Sequence, residues 1–159
     1  MNLTMGLRKA AQFRGDAEAL VCGEVRLTHR ALAERVARLG AALQQFGMGS
    51  GDRVAMLAAN GIAYIEFYFG VLWGGGVMVP INSRFALAEM IEQAADCTPT
   101  VLICDREFRE MAEAVRRPQL RHRLLSCGRP TVVVEAMGVM GEQGRLLPAV
   151  GLGAVDPVE

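Results

Sequence analysis

The side chains best suited to catalysis or metal binding are few in this sequence and lie far apart. The only histidines are His29 and His122, and no Ser-His-Asp, Cys-His or paired-carboxylate arrangement stands out. His29 falls in the first turn of a predicted helix, where a surface role is the simpler interpretation. Four cysteines form no CxxC pair, which argues against a zinc site or a disulfide framework: Cys22, Cys97, Cys104 and Cys127. We therefore predict no catalytic residue and no metal ligand from chemistry alone.

Two glycine clusters have the composition of phosphate-binding loops: GMGSGD at 47–52 and GGG at 74–76. A dinucleotide-binding loop follows a strand and opens a helix, so that the phosphate meets the helix N-terminus. Both clusters instead follow a predicted helix and precede a predicted strand, and neither carries the Lys-Ser or Lys-Thr pair of a Walker loop. We interpret both as turns, at the end of the sheet opposite to the usual ligand edge.

An arginine-rich stretch near the end of the chain raises the question of nucleic acid. Its members, with His122 among them, are Arg116, Arg117, Arg121, Arg123 and Arg129. No aromatic residue lies among them to stack a base, and Pro118 and Pro130 indicate loops. Lys plus Arg equal Asp plus Glu at 17 each over 159 residues, so no global field attracts polyanions. We predict a solvated connection and no nucleic-acid partner.

Residues 62–81 contain Glu66 as their single charge, and twenty such residues are long enough to span a bilayer. The three glycines and Pro80 interrupt this segment, and its first half is amphipathic. A buried helix followed by a buried strand is the better interpretation. The first sixteen residues contain no secretory signal pattern, so we expect a cytoplasmic protein without a transmembrane segment.

Apolar segments that alternate between strand and helix patterns position the candidate residues named above. A small hairpin is predicted over 19–27, followed by a helix with Thr28 as its N-cap and Gly47 just past its end. Buried strands are predicted at VAMLAA, VMVPI, TVLIC and TVVVE, with helices at about 62–73, 86–95 and 108–115. This order indicates an α/β fold, a parallel sheet flanked by helices. We assign residues 1–135 to this unit and 136–159 to an irregular Gly-rich segment.

Asp105 directly follows the predicted strand TVLIC, at a position where α/β proteins place ligand-contacting groups. Capping of the next helix explains an aspartate at this position equally well. Both interpretations remain open on the sequence.

The order of these segments resembles the N-terminal region of the AMP-forming adenylating enzymes, which include acyl-CoA synthetases. The matching features are LTHRAL, GMGSGDRVAML, AAN, GVLWGGGVMVPIN, SR and TVLIC, over about residues 19–105. VPINSR is most similar to the acyl- or aryl-CoA synthetase branch. There are departures: His29 stands where the family has Tyr, and Ala59 and Ala63 replace prolines. Ala86 replaces a Thr or Ser that commonly caps the next helix.

The resemblance implies a two-step reaction in a full-length relative, such as those of fatty acid metabolism. A carboxylate attacks the α-phosphate of ATP, and a CoA thiol then displaces AMP, with Mg²⁺ and cationic groups offsetting phosphate charge. The family's phosphate loop, Thr-Ser-Gly-Thr-Thr-Gly-x-Pro-Lys-Gly, is expected just past Glu159. We therefore expect an N-terminal fragment of the ligase that is inactive alone and binds no cofactor itself. Its partners would be the rest of the ligase chain and a small carboxylic acid.

Arg84 is the one residue to which the resemblance assigns a ligand, because the arginine after the Pro-x-Asn segment lies near CoA phosphates in some family members. The simpler interpretation is an exposed arginine at the start of a helix. The alternative to the ligase hypothesis is a stand-alone α/β interaction or assembly module without catalysis, and self-association fits both. A nucleotide-cofactor oxidoreductase would need a glycine loop after a strand, which is missing.

Overall fold

A computed structural model of the protein describes residues 3–124 and 132–135. Five α-helices, six strands and one 3₁₀ turn (Arg106–Phe108) follow in the order α1 Thr4–Phe13, β1 Glu18–Cys22, β2 Val25–Thr28, α2 His29–Gln45, β3 Arg53–Leu57, α3 Ile62–Trp73, β4 Val77–Pro80, α4 Leu87–Cys97, β5 Val101–Cys104, α5 Arg109–Leu124 and β6 Val132–Glu135. The irregular segment assigned to 136–159 lies outside the described residues.

Strands β3 to β6 form one parallel sheet in the order β4-β3-β5-β6. Helices α2 and α3 cover one face, where Leu43 and Phe67 pack against Val54 and Met56. Helices α4 and α5 cover the other face, where Met90 packs among residues of β3 and β5. Because both faces are covered, every residue of β5 is buried, which explains the continuous apolar runs in the sequence. The predicted α/β fold is confirmed.

The amino-terminal hairpin is also confirmed. Strands β1 and β2 pair antiparallel in a separate two-stranded sheet, with Cys22 opposite Val25 across the turn. Thr28 ends β2 and caps α2, since its Oγ1 accepts a hydrogen bond of 3.2 Å from the backbone N–H of Ala31. One threonine therefore sets the point at which the hairpin becomes the first long helix.

Two elements differ from the prediction. Helix α1 was not predicted, because Leu3 at its N-cap provides no capping side chain and Gly6 weakens its interior. Tertiary packing of the buried Leu7 holds it instead. Helix α5 extends to Leu124 and passes through Pro118, where we predicted a loop. The helix continues through this position although an interior proline removes one backbone hydrogen bond, so the proline was a poor guide to its end.

Helices α2 and α3 approach closely through three glycines. A Cβ atom at Gly40 would lie 3.0 Å from the carbonyl oxygen of Gly70 and 3.1 Å from the backbone nitrogen of Gly74. Nearer the start of both helices, the guanidinium of Arg35 forms an ion pair with the carboxylate of Glu66, whose side chain is 2% exposed. This pairing explains how an otherwise apolar helix buries a charge. Within the described part of the chain, no helix is long and apolar enough to cross a membrane.

Among the described strands, β4 lies at an edge of the sheet, and its outer side is blocked. The N–H groups of Val77 and Ile81 point toward β3 and donate to the carbonyls of Asp52, directly before β3, and Met56, with N···O distances of 2.8 and 2.9 Å. The backbone of Pro80 therefore faces outward and has no N–H to offer. Its carbonyl oxygen accepts a 3.1 Å hydrogen bond from the side-chain amide of Gln93 on α4. These two features limit strand addition at this edge.

Candidate functional site

The two glycine clusters meet at the amino-terminal edge of the sheet. Gly47 (φ +93°) and Gly51 (φ +78°) take the left-handed backbone that ends α2 and turns the chain into β3. The carboxylate of Asp52 accepts from the N–H of Gly49 at 2.8 Å, and the N–H of Gly51 donates to the carbonyl of Gly75 at 2.9 Å. The loop amides are used within the fold, so the interpretation of both clusters as turns is confirmed.

Ligands of open parallel sheets bind at the opposite, carboxyl edge, where neighbouring strands are followed by connections that leave in different directions. Here that point lies between β3, which is followed by α3 on one face, and β5, which is followed by α5 on the other. The segments that follow the strands carry the polar residues Asn60, Asn82, Arg84 and Asp105. We take this edge as the candidate site.

Asp105 links the two central strands at this edge. Its carboxylate oxygen Oδ2 accepts a 2.9 Å hydrogen bond from the backbone N–H of Ala59, in the loop between β3 and α3. Its own N–H donates to the carbonyl of Leu57 at 3.2 Å. The side chain makes no capping hydrogen bond to the following 3₁₀ turn, so the capping interpretation is wrong. Asp105 instead fixes the loop that leads into α3.

Arg84 lies in the connection between β4 and α4. Its backbone N–H donates to Oδ1 of Asn82 at 3.0 Å, which fixes the tight turn after the strand. The side chain is exposed, and its guanidinium has no hydrogen bond or ion pair to any side chain that the structure describes. A guanidinium in this state is available to an anionic group, and its assignment to CoA remains a prediction.

The start of α4 shows a second polar contact. Ala86 is the N-cap residue, and the carboxylate of Glu89 accepts a 2.8 Å hydrogen bond from its N–H. This is one half of a capping box. The other half requires a side-chain oxygen at position 86, which alanine does not have. The start of α4, directly after the turn with Arg84, is therefore held by one of the two side-chain hydrogen bonds of a capping box.

The other candidate residues are not brought together. His29 begins α2 and is half-buried, whereas the side chain of His122 lies outside the described residues. Among described side chains, no three His, Cys, Asp or Glu residues are grouped as metal ligands. Cys22, Cys97 and Cys104 are free thiols. In the arginine-rich stretch, Arg116 pairs with Glu113 at 2.8 Å, and the side chains of Arg117, Arg121, Arg123 and Arg129 are outside the described part.

Burial changes the titration of two groups away from this edge. Burial raises the pKa of the Tyr64 phenol, with a further contribution from Tyr68 beside it. Burial also raises the pKa of the Cys97 thiol, although its backbone hydrogen bond and Arg53 act in the opposite direction. Both groups therefore stay neutral at physiological pH, and neither behaves as an activated nucleophile.

The comparisons with known proteins agree with this arrangement. Residues 7–150 match the family model described as AMP-binding enzyme. Feruloyl-CoA synthase from Amycolatopsis sp is 37% identical over 70% of the chain, and a long-chain-fatty-acid–CoA ligase from Thermus thermophilus is 34% identical over 73%. The alignments cover 23% and 22% of those two proteins, so the chain spans about a quarter of the length of its curated relatives.

A solved structure shows the same fold. A protein assigned as a long-chain-fatty-acid CoA ligase in Rhodopseudomonas palustris superposes with a TM-score of 0.74 at 25% identity, covering 91% of this chain and 37% of that one. The similarity of the fold and the family match over residues 7–150 therefore point to the same group of proteins. The chain belongs to the AMP-binding enzyme family, as a partial N-terminal region whose relatives are acyl-CoA ligases.

Proposed function

We propose that this chain is the N-terminal α/β subdomain of an ATP-dependent acyl-CoA ligase, which joins a carboxylic acid to CoA and releases AMP and pyrophosphate. The observation that carries the proposal is the similarity to proteins named as CoA ligases, which lies within the stretch 7–150 that matches the AMP-binding enzyme family. Feruloyl and long-chain fatty acyl groups differ widely in shape, so the proposal stops at carboxylic acid as the substrate class.

The contribution of the described residues to this reaction is scaffolding. They hold no group of three metal-ligating side chains, and we assign no Mg²⁺ ligand among residues 3–124. Nor do they bring together a nucleophile and a base. We propose that residues 1–135 act as the folded unit, that 136–159 lead toward the rest of the ligase, and that the chain alone forms no acyl-adenylate.

Arg84 is the residue that we propose for ligand contact. It sits at the carboxyl edge of the sheet on a turn fixed by Asn82, and its side chain is exposed. A guanidinium donates several hydrogen bonds in a fixed plane, which suits phosphate oxygens. In the complete ligase it would contact a CoA phosphate, and an Arg84→Ala variant would raise KM for CoA while leaving the adenylation step unchanged.

Pyrophosphate exchange tests the proposed inactivity. The purified chain is mixed with ATP, labelled pyrophosphate, Mg²⁺ and either ferulate or hexadecanoate. We expect no acid-dependent label in ATP, since binding and adenylation are assigned to other parts of the ligase. Acid-dependent exchange by the chain alone would show that it carries a complete adenylation site and would overturn this part of the proposal.

A chimaera tests the ligase function itself. The matching segment of the Amycolatopsis feruloyl-CoA synthase is replaced by residues 1–135, and feruloyl-CoA formation is measured. We expect activity, with Arg84→Ala raising KM for CoA, and with Arg14→Ala as an exposed arginine control. A folded chimaera that still binds ATP but forms no feruloyl-CoA would argue for the alternative, an interaction module without catalysis.

A further inference from the structure

The outward face of helix α1 is left exposed by the residues that the structure describes. Met5, Lys9 and Phe13 are spaced four residues apart and therefore share one side of the helix. Met5 is 46% exposed and Phe13 is 76% exposed, and Leu3 at the start of the helix is 57% exposed. Two large apolar side chains exposed on one side of a short helix, with a third directly before it, exceed what a solvated surface requires.

The charge around this face has one sign. Residues 3–15 contain Arg8, Lys9 and Arg14 and no acidic residue. The nearest acidic side chains further along the chain are already paired, because Asp16 contacts Arg30 at 3.4 Å and Glu18 contacts Arg26 at 3.2 Å. Although the whole chain is neutral, α1 is therefore a local basic surface with apolar side chains among its charges.

The inner side of α1 fixes the direction of that face. Thr4 and Leu7 are buried, and Leu7 packs with Leu32 and Val36 of α2. The guanidinium of Arg8 lies 3.6 Å from the ring centre of Trp73, at the end of α3. With these contacts made on one side, Met5, Lys9 and Phe13 point away from the domain without any rearrangement.

We propose that the outward face of α1 binds an anionic phospholipid surface. Apolar side chains that enter the interface and basic side chains that meet acidic headgroups are the two contributions that hold an amphipathic helix on a membrane. A nucleic acid would use the charges and leave Met5 and Phe13 in water, and an acidic protein would need an apolar patch placed between its carboxylates. Because the helix is short and carries two basic residues, with Arg14 directly after it, binding is weak, reversible and sensitive to salt.

Vesicle sedimentation tests this with the whole chain. Vesicles of phosphatidylcholine and phosphatidylglycerol in about equal parts are compared with pure phosphatidylcholine. We expect binding only to the anionic vesicles, lost in about 0.5 M NaCl. Lys9→Glu should weaken binding about tenfold, because it replaces an attraction with a repulsion. Phe13→Ser should weaken it about fivefold, and Phe85→Ser, at a phenylalanine exposed elsewhere, should leave it unchanged.

A chemical footprint locates the contact. Lys9 is the only lysine of the chain, so acetylation by an amine-reactive ester reports on the outward face at one side-chain site. We expect anionic vesicles to slow acetylation of Lys9, while emission from Trp73, the only tryptophan, stays unchanged because α1 remains docked. Absence of binding, equal binding to both vesicle types, or unchanged binding of the Lys9→Glu and Phe13→Ser variants would each overturn the proposal.

Discussion

The two edges of the parallel sheet are built by different means. At the amino edge the chain turns on glycines with left-handed backbone, and the loop amides bond to a loop carbonyl, as from Gly51 to Gly75, and to the Asp52 carboxylate from Gly49. At the carboxyl edge the loops are held by side chains, with Asp105 accepting from Ala59 and Glu89 accepting from Ala86. The amino edge therefore depends on glycine backbone that a side chain would strain, whereas the loops of the carboxyl edge are held without such glycines.

The packing of α2 on α3 repeats this contrast along the helices. Toward the amino edge the two backbones approach at Gly40, Gly70 and Gly74. Toward the carboxyl edge the Arg35–Glu66 ion pair joins the same helices. Glycine contacts cannot change without moving the backbone, whereas side-chain contacts can. This difference suits a scaffold whose amino edge stays fixed while its carboxyl edge serves a site.

Removal of the buried charge at the carboxyl half should have the largest effect. Glu66→Ala leaves the guanidinium of Arg35 without its partner in a place where its side chain is only 22% exposed. We expect the free energy of unfolding to fall by about 3 kcal/mol, at the lower end for a broken buried pair, since Arg35 partly reaches water. Urea denaturation followed by Trp73 fluorescence measures this.

The control for this variant replaces both partners. In Arg35→Leu/Glu66→Leu no charge remains buried, and apolar side chains of similar size fill the space. The double variant should therefore recover most of the lost stability. A double variant as unstable as Glu66→Ala would show that the pair contributes through its shape and not through charge compensation.

A side chain at the glycine contact should have the next largest effect. In Gly40→Val the new Cβ meets backbone atoms of Gly70 and Gly74, which cannot rotate away as a side chain would. We expect a loss of about 2 kcal/mol from overpacking, measured by the same denaturation. Gly6→Val is the matched control, because Gly6 is also helical and has no atom within 4 Å of its Cβ position. Equal losses in both variants would refute the close-approach argument.

Most of the fold was readable from the sequence, because the strands are buried on both faces and the turns carry glycine. VMVPI and TVLIC gave β4 and β5, and Ile62–Trp73 has the bounds that the apolar run predicts. Helix α1 was missed since its stability comes from Leu7 and Arg8 packing on residues far along the chain. Local signals cannot report contacts of that kind.

The candidate site was less readable for the same reason. The partner of Asp105 is 46 residues earlier, and the partner of Arg35 is 31 residues later, so neither pair has a local pattern. A single glutamate, Glu66, in an apolar run indicates a buried ion pair, but the sequence does not show which arginine is its partner. Arg84 came from the resemblance to a family, and its position on an exposed turn stays consistent with that prediction.

Loss of the hydrogen bond at the carboxyl edge should cost less than either change between the helices. Asp105→Ala removes the acceptor for the N–H of Ala59, at a half-exposed position where water can replace it. We expect a loss of about 1.5 kcal/mol. Asp105→Asn keeps an oxygen in the same place and should retain most of the stability. If Asn is as unstable as Ala, the charge matters more than the contact with the loop.

The smallest effect should be a gain. Ala86 already has the extended backbone of an N-cap (φ −64°, ψ 152°), and Glu89 already bonds to its N–H. Ala86→Ser adds the oxygen that can accept from the N–H of Glu89 and complete the capping box, which should raise the free energy of unfolding by about 1 kcal/mol.

Ala88→Ser is the control, because it makes the same exposed substitution two positions later, inside α4. There the serine does not occupy the N-cap position, and its lower helix propensity should reduce the free energy of unfolding by about 0.4 kcal/mol. Equal effects of the two serines would mean that the start of α4 is fixed by packing alone. Opposite signs would show that the start of α4, at the carboxyl edge, is held by side-chain hydrogen bonds and that its stability rises when the missing one is added.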